Sequence, residues 1–305
     1  MKSFNYYIKH PKDFIYRCLW FIIKILSPII PAKIYLKIQF WLITGEYLNL
    51  KNPQSFNEKI QWLKLYDRNP KYTKMVDKYL AKEYVKWIIW KEHIIPTLWV
   101  WKNFDDIDFN KLPNQFVLKC THDSWSVIIC KDKKNFNKEN AKNVLQSALK
   151  HNYYHYYKER AYKNVEPRII AEEYIMDNSW NSPMDYKIFC FNWEAKAILI
   201  DVDRFSNHKQ AIYDINWNLL PFVFHWQAPY KSYLMEKNRI LNKMIEFAEI
   251  LSKNIPQVRV DFYLLDKKIF FWELTFYHWA WITKFHPHEY DLVFWNWIKL
   301  PHKNE

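Results

Sequence analysis

The spacing of apolar and polar positions changes period several times along this chain, and each change marks an element. Residues 257–276, QVRVDFYLLDKKIFFWELTF, read as two β-prone runs around the polar turn Asp266-Lys267-Lys268. On a strand, residues i and i+2 share a face. Arg259 therefore stands beside Asp261, and Glu273 beside Thr275. If the hairpin closes on its turn, the two carboxylates converge. With an arginine they suit a hard cation held against phosphates. A surface hairpin with its charges in water fits the same spacing.

Further strand patterns occur at 115–120 (QFVLKC), 127–130, 168–175 (RIIAEEYI), 185–191 (DYKIFCF) and 195–202 (AKAILIDV). The last two read as a hairpin around Asn192-Trp193, and 94–97 begins an extended segment. Helical spacing covers 52–66, 73–87, 138–152 and 235–254. The first of these opens on Ser55 with Glu58 three residues on, a capping box. The second carries Asp77 and Lys78 near its start. Residues 121–126, THDSWS, form a polar turn between two strands. Strands interspersed with helices predict an α+β protein. No repeat or low-complexity linker divides it.

The first 48 residues are basic and apolar. Residues 14–30, FIYRCLWFIIKILSPII, are interrupted by Arg17, Lys24 and Pro28. That is too broken for a membrane-spanning helix, and no small-residue cleavage site marks a secretory signal. Two readings remain: an amphipathic helix packed on the body, or a helix lying on an anionic membrane. The charge supports an anionic partner of some kind, since 45 Lys+Arg against 32 Asp+Glu leave the chain at +13. Four scattered cysteines show neither a disulfide framework nor finger spacing, which fits a reduced, cytoplasmic protein. The histidines His278, His286 and His288 cluster after the hairpin but lack a third well-spaced ligand, so structural or substrate-facing roles suit them better than metal.

Set in order, the polar landmarks are Asp77-Lys78, Lys119, Glu172-Glu173, Lys187, Arg259-x-Asp261 and Glu273-x-Thr275. This order resembles the ATP-grasp superfamily. The blocks PQSFNEKIQWLKLYDRNP, FVLKCTHDS, RIIAEEYI, DYKIFCF, VRVDFYL, ELTF and IKLP are similar to the TupA-like ATP-grasp family of cell-surface polysaccharide loci. The resemblance implies an ATP-grasp fold, two α+β lobes sandwiching ATP. It divides the chain into an N-terminal helical segment (1–70), a pre-ATP-grasp region (71–112), a small lobe (113–178) and a large lobe (179–305). Lys119 and Lys78 would contact the nucleotide phosphates, with His122, Ser124, Trp125 and Ser126 in the phosphate turn. Glu172 and Glu173 would lie on the strand joining the lobes, near adenine and ribose, with one of the two pointing away from the site. Asp261 and Glu273 would hold Mg²⁺, with Thr275 a weaker ligand where many superfamily members have asparagine. Arg259, with Lys187 a second candidate, would stabilise the transferred phosphoryl group. The implied reaction is ATP-dependent ligation of a carboxylate to an amine through an acylphosphate, on a glycopolymer-linked substrate. No Ser/His/Asp or Cys/His set competes with it. A glycosyltransferase or phosphotransferase of the same loci is one alternative. A basic nucleic-acid-binding protein is another, although the resemblance implies no nucleic acid partner.

One figure disturbs every reading. The chain has 17 tryptophans and a single glycine, Gly45. Ordinary usage of about 7% would give roughly 21 glycines. Trp90, Trp99, Trp125, Trp180, Trp193, Trp272, Trp279, Trp281 and Trp295 stand at turns, a helix end or loop apices, where glycine is the natural residue. Trp62, Trp101, Trp217 and Trp297 stand in contexts that accept an indole, and Trp20, Trp41, Trp87 and Trp226 fit either description. The pattern is that of a conceptual translation in which UGA, read as glycine in some bacteria, has been written as tryptophan. It predicts glycine at roughly nine to thirteen of these positions.

Overall fold

The computed structural model describes residues 11–176, 183–202, 209–222, 239–278, 282 and 285–302, with side chains from residue 18 onward except at 202 and 209. The apolar run at 14–30 is not one helix. Helix α1 (Pro11–Ile25) gives way to a turn containing Pro28, and α2 (Ala32–Thr44) restarts after Pro31. Each proline lacks the N–H that a continuous helix needs. Gly45 closes α2 at φ 82, its N–H donating to Trp41 O at 2.9 Å. Helix α3 (Phe56–Tyr66) begins as expected at Ser55, whose Oγ accepts the Glu58 N–H at 3.2 Å. The other half of the capping box is replaced. The Glu58 carboxylate accepts the N–H groups of Asn49 and Gln54, at 2.7 and 2.6 Å, and so ties the preceding loop to the helix. The helix expected over 73–87 is in fact two, α4 (Lys71–Val76) and α5 (Lys78–Ile89). Asp77 breaks it because its carboxylate accepts the N–H groups of Tyr79 and Leu80, at 2.9 and 3.0 Å, and caps a new helix.

The next elements build a four-stranded antiparallel sheet in the order β1-β4-β2-β3. They are β1 (Thr97–Trp101), β2 (Phe116–Cys120), β3 (Val127–Cys130), α6 (Lys138–Leu149), the short α7 (Tyr154–Tyr157) and β4 (Ile169–Glu173). Leu118, Cys120, Ala141, Leu145 and Ile169 make its core, with α6 covering one face. The second sheet, β7-β6-β5-β8-β9, is also antiparallel. It uses β5 (Met184–Phe191), β6 (Glu194–Val202), β7 (Lys209–Asp214), the covering helix α8 (Arg239–Leu251), β8 (Gln257–Leu265) and β9 (Lys268–Thr275), and the chain then enters α9 (Glu289–Trp297). One core runs from the N-terminal helices into this sheet. Phe56 of α3 meets Phe191 of β5 at 6.4 Å and Phe294 of α9 at 5.4 Å between ring centres.

Three of the eight non-glycine residues with positive φ among the described residues are tryptophan. Trp90, at the end of α5, has φ 68 and ψ 154; Trp193 has φ 78 in the β5–β6 turn; Trp217 has φ 72. The first two fall where glycine is expected from sequence. Trp217 corrects the expectation, since its context reads as tolerant of an indole yet its backbone is left-handed. Trp125 and Trp272 do not have positive φ. Trp180, Trp226, Trp279 and Trp281 lie outside the described residues.

Candidate active site

The β8–β9 hairpin closes on Asp266 and Lys267, at φ 47 and 63. A two-residue turn with both φ positive matches the twist of the flanking strands. Register then places Arg259 opposite Thr275 and Asp261 opposite Glu273. Immediately beyond that pair the register shifts, with Phe262 facing Phe271, so Trp272 is the extra residue of a bulge beside Glu273. The charges converge and are not in water, which removes the surface-hairpin reading. Asp261 is fully buried and Arg259 nearly so. The guanidinium forks onto Asp261, Nε to Oδ1 at 2.7 Å and Nη2 to Oδ2 at 2.5 Å. Nη2 also reaches Thr275 Oγ1 at 3.1 Å and Glu273 Oε1 at 3.3 Å, and Nη1 contacts His278 Nδ1.

On the other side of β8, strand β5 sets Lys187 opposite Asp261. The Lys187 ammonium contacts both Asp185 and Asp201, and Asp201 accepts from Gln210 Nε2 at 2.6 Å. Two carboxylates thus hold Lys187 within the sheet.

The small sheet supplies a second set. Lys119, one residue from the end of β2, lies 2.5 Å from Glu172 Oε2, and the ammonium of Lys82 contacts the other oxygen. Lys82 also donates to Ile95 O at 2.8 Å. Glu173, the next residue on β4, is exposed, so one glutamate faces in and one out. Lys82 was not among the sequence candidates. Its signal was its position one turn beyond Lys78, on the same face of α5. Lys78 is fixed to the 121–126 turn from both ends. Its N–H donates to Thr121 O at 3.0 Å, and its ammonium contacts Asp123 O. Arg168 reaches the capping Asp77 at 2.6 Å.

Within that turn the candidates divide. The Ser126 hydroxyl donates to Asp123 Oδ1 at 2.6 Å and accepts the Cys120 N–H at 3.1 Å, so it builds the turn. His122 is buried with Nε2 3.0 Å from Ala148 O, tied to the end of α6. Ser124 and Trp125 are exposed, and the Trp125 ring lies 5.5 Å from that of Tyr153.

The two sets meet at Glu273. Burial alone would raise its carboxyl; Lys78, Arg259, Lys119 and Lys187 together hold it below the usual carboxylate range. Burial pushes Asp261 up, and Arg259 opposes that push. Two facing carboxylates and a hydroxyl are hard oxygen donors of the kind Mg²⁺ takes, so the residues fit the ion in kind. Both oxygens of Asp261 are on Arg259, so direct ligation there requires the guanidinium to shift. Among the described residues no group of three or more His, Cys, Asp or Glu is set out to hold a metal.

Two antiparallel sheets, each carrying buried lysine–carboxylate pairs, fit the two α+β lobes expected of an ATP-grasp protein. The chain belongs to the TupA-like ATP-grasp family, whose model matches residues 58–299. No protein of curated function matches it. Among solved structures it is similar to the D-alanine–D-alanine ligase of Bacillus anthracis complexed with ATP, at 12% identity and a TM-score of 0.38 over 73% of this chain and 57% of that one. It is also similar to the L-amino acid ligase of Bacillus licheniformis (13%, TM-score 0.40, 70% of this chain and 43% of that one). A third is the ATP-grasp ligase PsnB with minimal precursor, Mg and ADP (9%, TM-score 0.37, 72% and 56%). The matched part spans between 43% and 57% of these three proteins' lengths.

Proposed function

We propose that this chain is an ATP-dependent carboxylate–amine ligase acting on a cell-surface polysaccharide or a teichuronopeptide-like polymer. The observation that carries the site is that Arg259 Nη2 lies 3.3 Å from Glu273 Oε1 and that the charges of Lys78, Lys119 and Lys187, from three further elements, also act on that carboxylate. Such a set neutralises a triphosphate while leaving carboxylates to hold its metal. Lys119 and Lys78 contact the phosphates as point charges. Glu172, gripped by Lys82 and Lys119, holds the phosphate-binding lysine in place, and its main chain meets the adenine. Glu273 and Thr275, with Asp261 once Arg259 shifts, would hold Mg²⁺, which would draw charge from the phosphate oxygens.

In the first step a substrate carboxylate oxygen bonds to the γ-phosphorus, the bond to the β,γ-bridging oxygen breaks, and ADP leaves. Arg259 stabilises the charge that spreads over the transferring phosphoryl group. In the second step an amine attacks the acyl carbon, the acyl–oxygen bond breaks, and inorganic phosphate departs with the amide formed and a proton lost to solvent. No side-chain nucleophile takes part, and positioning supplies most of the rate.

The test is ADP release measured with and without a carboxylate and an amine. Multiple-turnover release should need both, because the first step alone yields at most one ADP per enzyme, and Glu273→Gln or Asp261→Asn should lower it by about 10²-fold or more while the fold persists by circular dichroism. Sustained, multiple-turnover ADP release that needs no amine would favour a phosphotransferase. No nucleotide turnover, with salt-sensitive binding to nucleic acid, would favour the non-enzymatic alternative.

A further inference from the structure

Helix α1 and the turn after it leave an apolar face exposed, while Ile23 and, on α2, Tyr35, Leu36 and Phe40 pack on the body. Facing the body, Ser27 is fully buried, its hydroxyl contacting His155 O and its carbonyl accepting from the Lys158 ammonium. The Lys24 ammonium lies 5.2 Å from the Trp20 ring and 5.8 Å from that of Tyr156, and the Tyr35 hydroxyl donates to Tyr156 O at 2.8 Å. Facing out are Leu19, Phe21, Ile22, Ile25, Leu26, Ile29 and Ile34, with Phe21 64% and Ile29 77% exposed. Residues 22, 25, 26 and 29 recur at helical spacing, so they form one continuous face. Lys33 and Lys37 are exposed on α2. The first 44 residues hold seven Lys or Arg against one acid, Asp13.

A protein that met only water would not leave a continuous apolar face of this extent uncovered. The basic surround also argues against a second copy of the chain, because a two-fold interface would set like charges against each other. We propose that this apolar face docks on the surface of an anionic phospholipid bilayer, with α1 and α2 lying in the interface and Lys33 and Lys37 at the headgroups. No described helix is long and apolar enough to cross the membrane, so the contact is one of surface binding. The proposal is independent of the ligase reading.

Co-sedimentation of the full chain with vesicles tests it. Mixed phosphatidylcholine–phosphatidylglycerol vesicles should bind at least about tenfold more protein than pure phosphatidylcholine. The triple variant Phe21→Glu, Ile25→Glu, Ile29→Glu should lose that binding and keep the wild-type circular dichroism spectrum, because all three side chains are exposed. Lys33→Glu with Lys37→Glu should erase the lipid preference. Wild-type protein that ignores anionic vesicles, or a triple variant that still sediments with them, would overturn the proposal. So would light scattering that shows a wild-type dimer, without vesicle binding, that the triple variant splits.

A different observation carries a second inference. Trp90 combines φ 68 with ψ 154, a region open essentially to glycine alone. Trp193 follows Asn192 at φ 47 in a two-residue hairpin turn, where Asn-Gly is the preferred pair. Trp217 has φ 72. The Trp90 and Trp193 side chains are more than half exposed, so packing does not hold these backbones in place. We infer that positions 90, 193 and 217 are glycine in the functional protein, their codons being UGA. The gene and the tryptic peptides of protein from its own cells decide the matter. UGA codons and glycine-containing peptides are expected at these three positions, with UGG at Trp62 and Trp101. UGG codons and tryptophan peptides at positions 90, 193 and 217 would overturn the inference.

Discussion

At the scale of single residues, the most consequential side chain outside the sequence candidates is Lys82. It shares Glu172 with Lys119 in a buried three-charge group. Burial lowers the Lys82 ammonium to about 8, with Glu172 pulling the other way. Removing one member of such a group leaves a charge without its partner, which costs about 3–5 kcal/mol. Lys82→Met should therefore destabilise the protein by about that amount in urea titration. Lys82→Met combined with Glu172→Gln should cost less than the sum of the two single changes, the mark of direct coupling. Lys119 itself was legible, since a lysine ending the apolar run FVLKC has few reasons to be there. Lys82 was hidden because a lysine on a helix is ordinarily a solvated one, and only burial against β4 distinguishes it.

At the scale of elements, local chemistry wrote the turns and caps. Asn192-Trp193 and Asp266-Lys267 sit where the alternation of each hairpin stops, and both hairpins form there. Ser55 starts α3 as its spacing predicts. Other elements were not legible. The six residues of β7 acquire their identity from pairing with β6, a contact absent from the local pattern. Helix α9 carries apolar residues on several sides, because it is packed against α3 and the large sheet, so no single stripe announces it. The break at Asp77 was misread because an aspartate within apolar helical spacing is indistinguishable from a surface residue until its carboxylate is seen to cap the next helix. The bulge at Trp272 was equally invisible, since only register reveals an unpaired residue.

At the scale of the whole molecule, buried charge makes stability depend on pH. Glu159 is buried near Lys64, and the ring of Tyr277, two residues past Thr275, lies 5.9 Å from the Lys64 ammonium. Burial raises the Glu159 carboxyl from 4.5 to about 8, with Lys64 opposing. A raised acid contributes stability that is whole below its unfolded pKa and is lost as pH rises through its folded pKa. Stability should thus fall as pH climbs from 4.5 towards about 8. Glu159→Gln should flatten that slope in melting curves taken across the range. The sequence by itself determined the strands around the site and the capped start of α3, the order of the charged landmarks and the conflict between one glycine and 17 tryptophans. These follow from periodicity, side-chain chemistry and backbone freedom, all local properties. Tertiary structure alone decided which glutamate of the 172–173 pair faces Lys119, that Arg259 locks Asp261, and that lysines from both sheets close on Glu273. Those outcomes depend on strand register and on the loss of water around charges, and both are set by residues far apart in the chain.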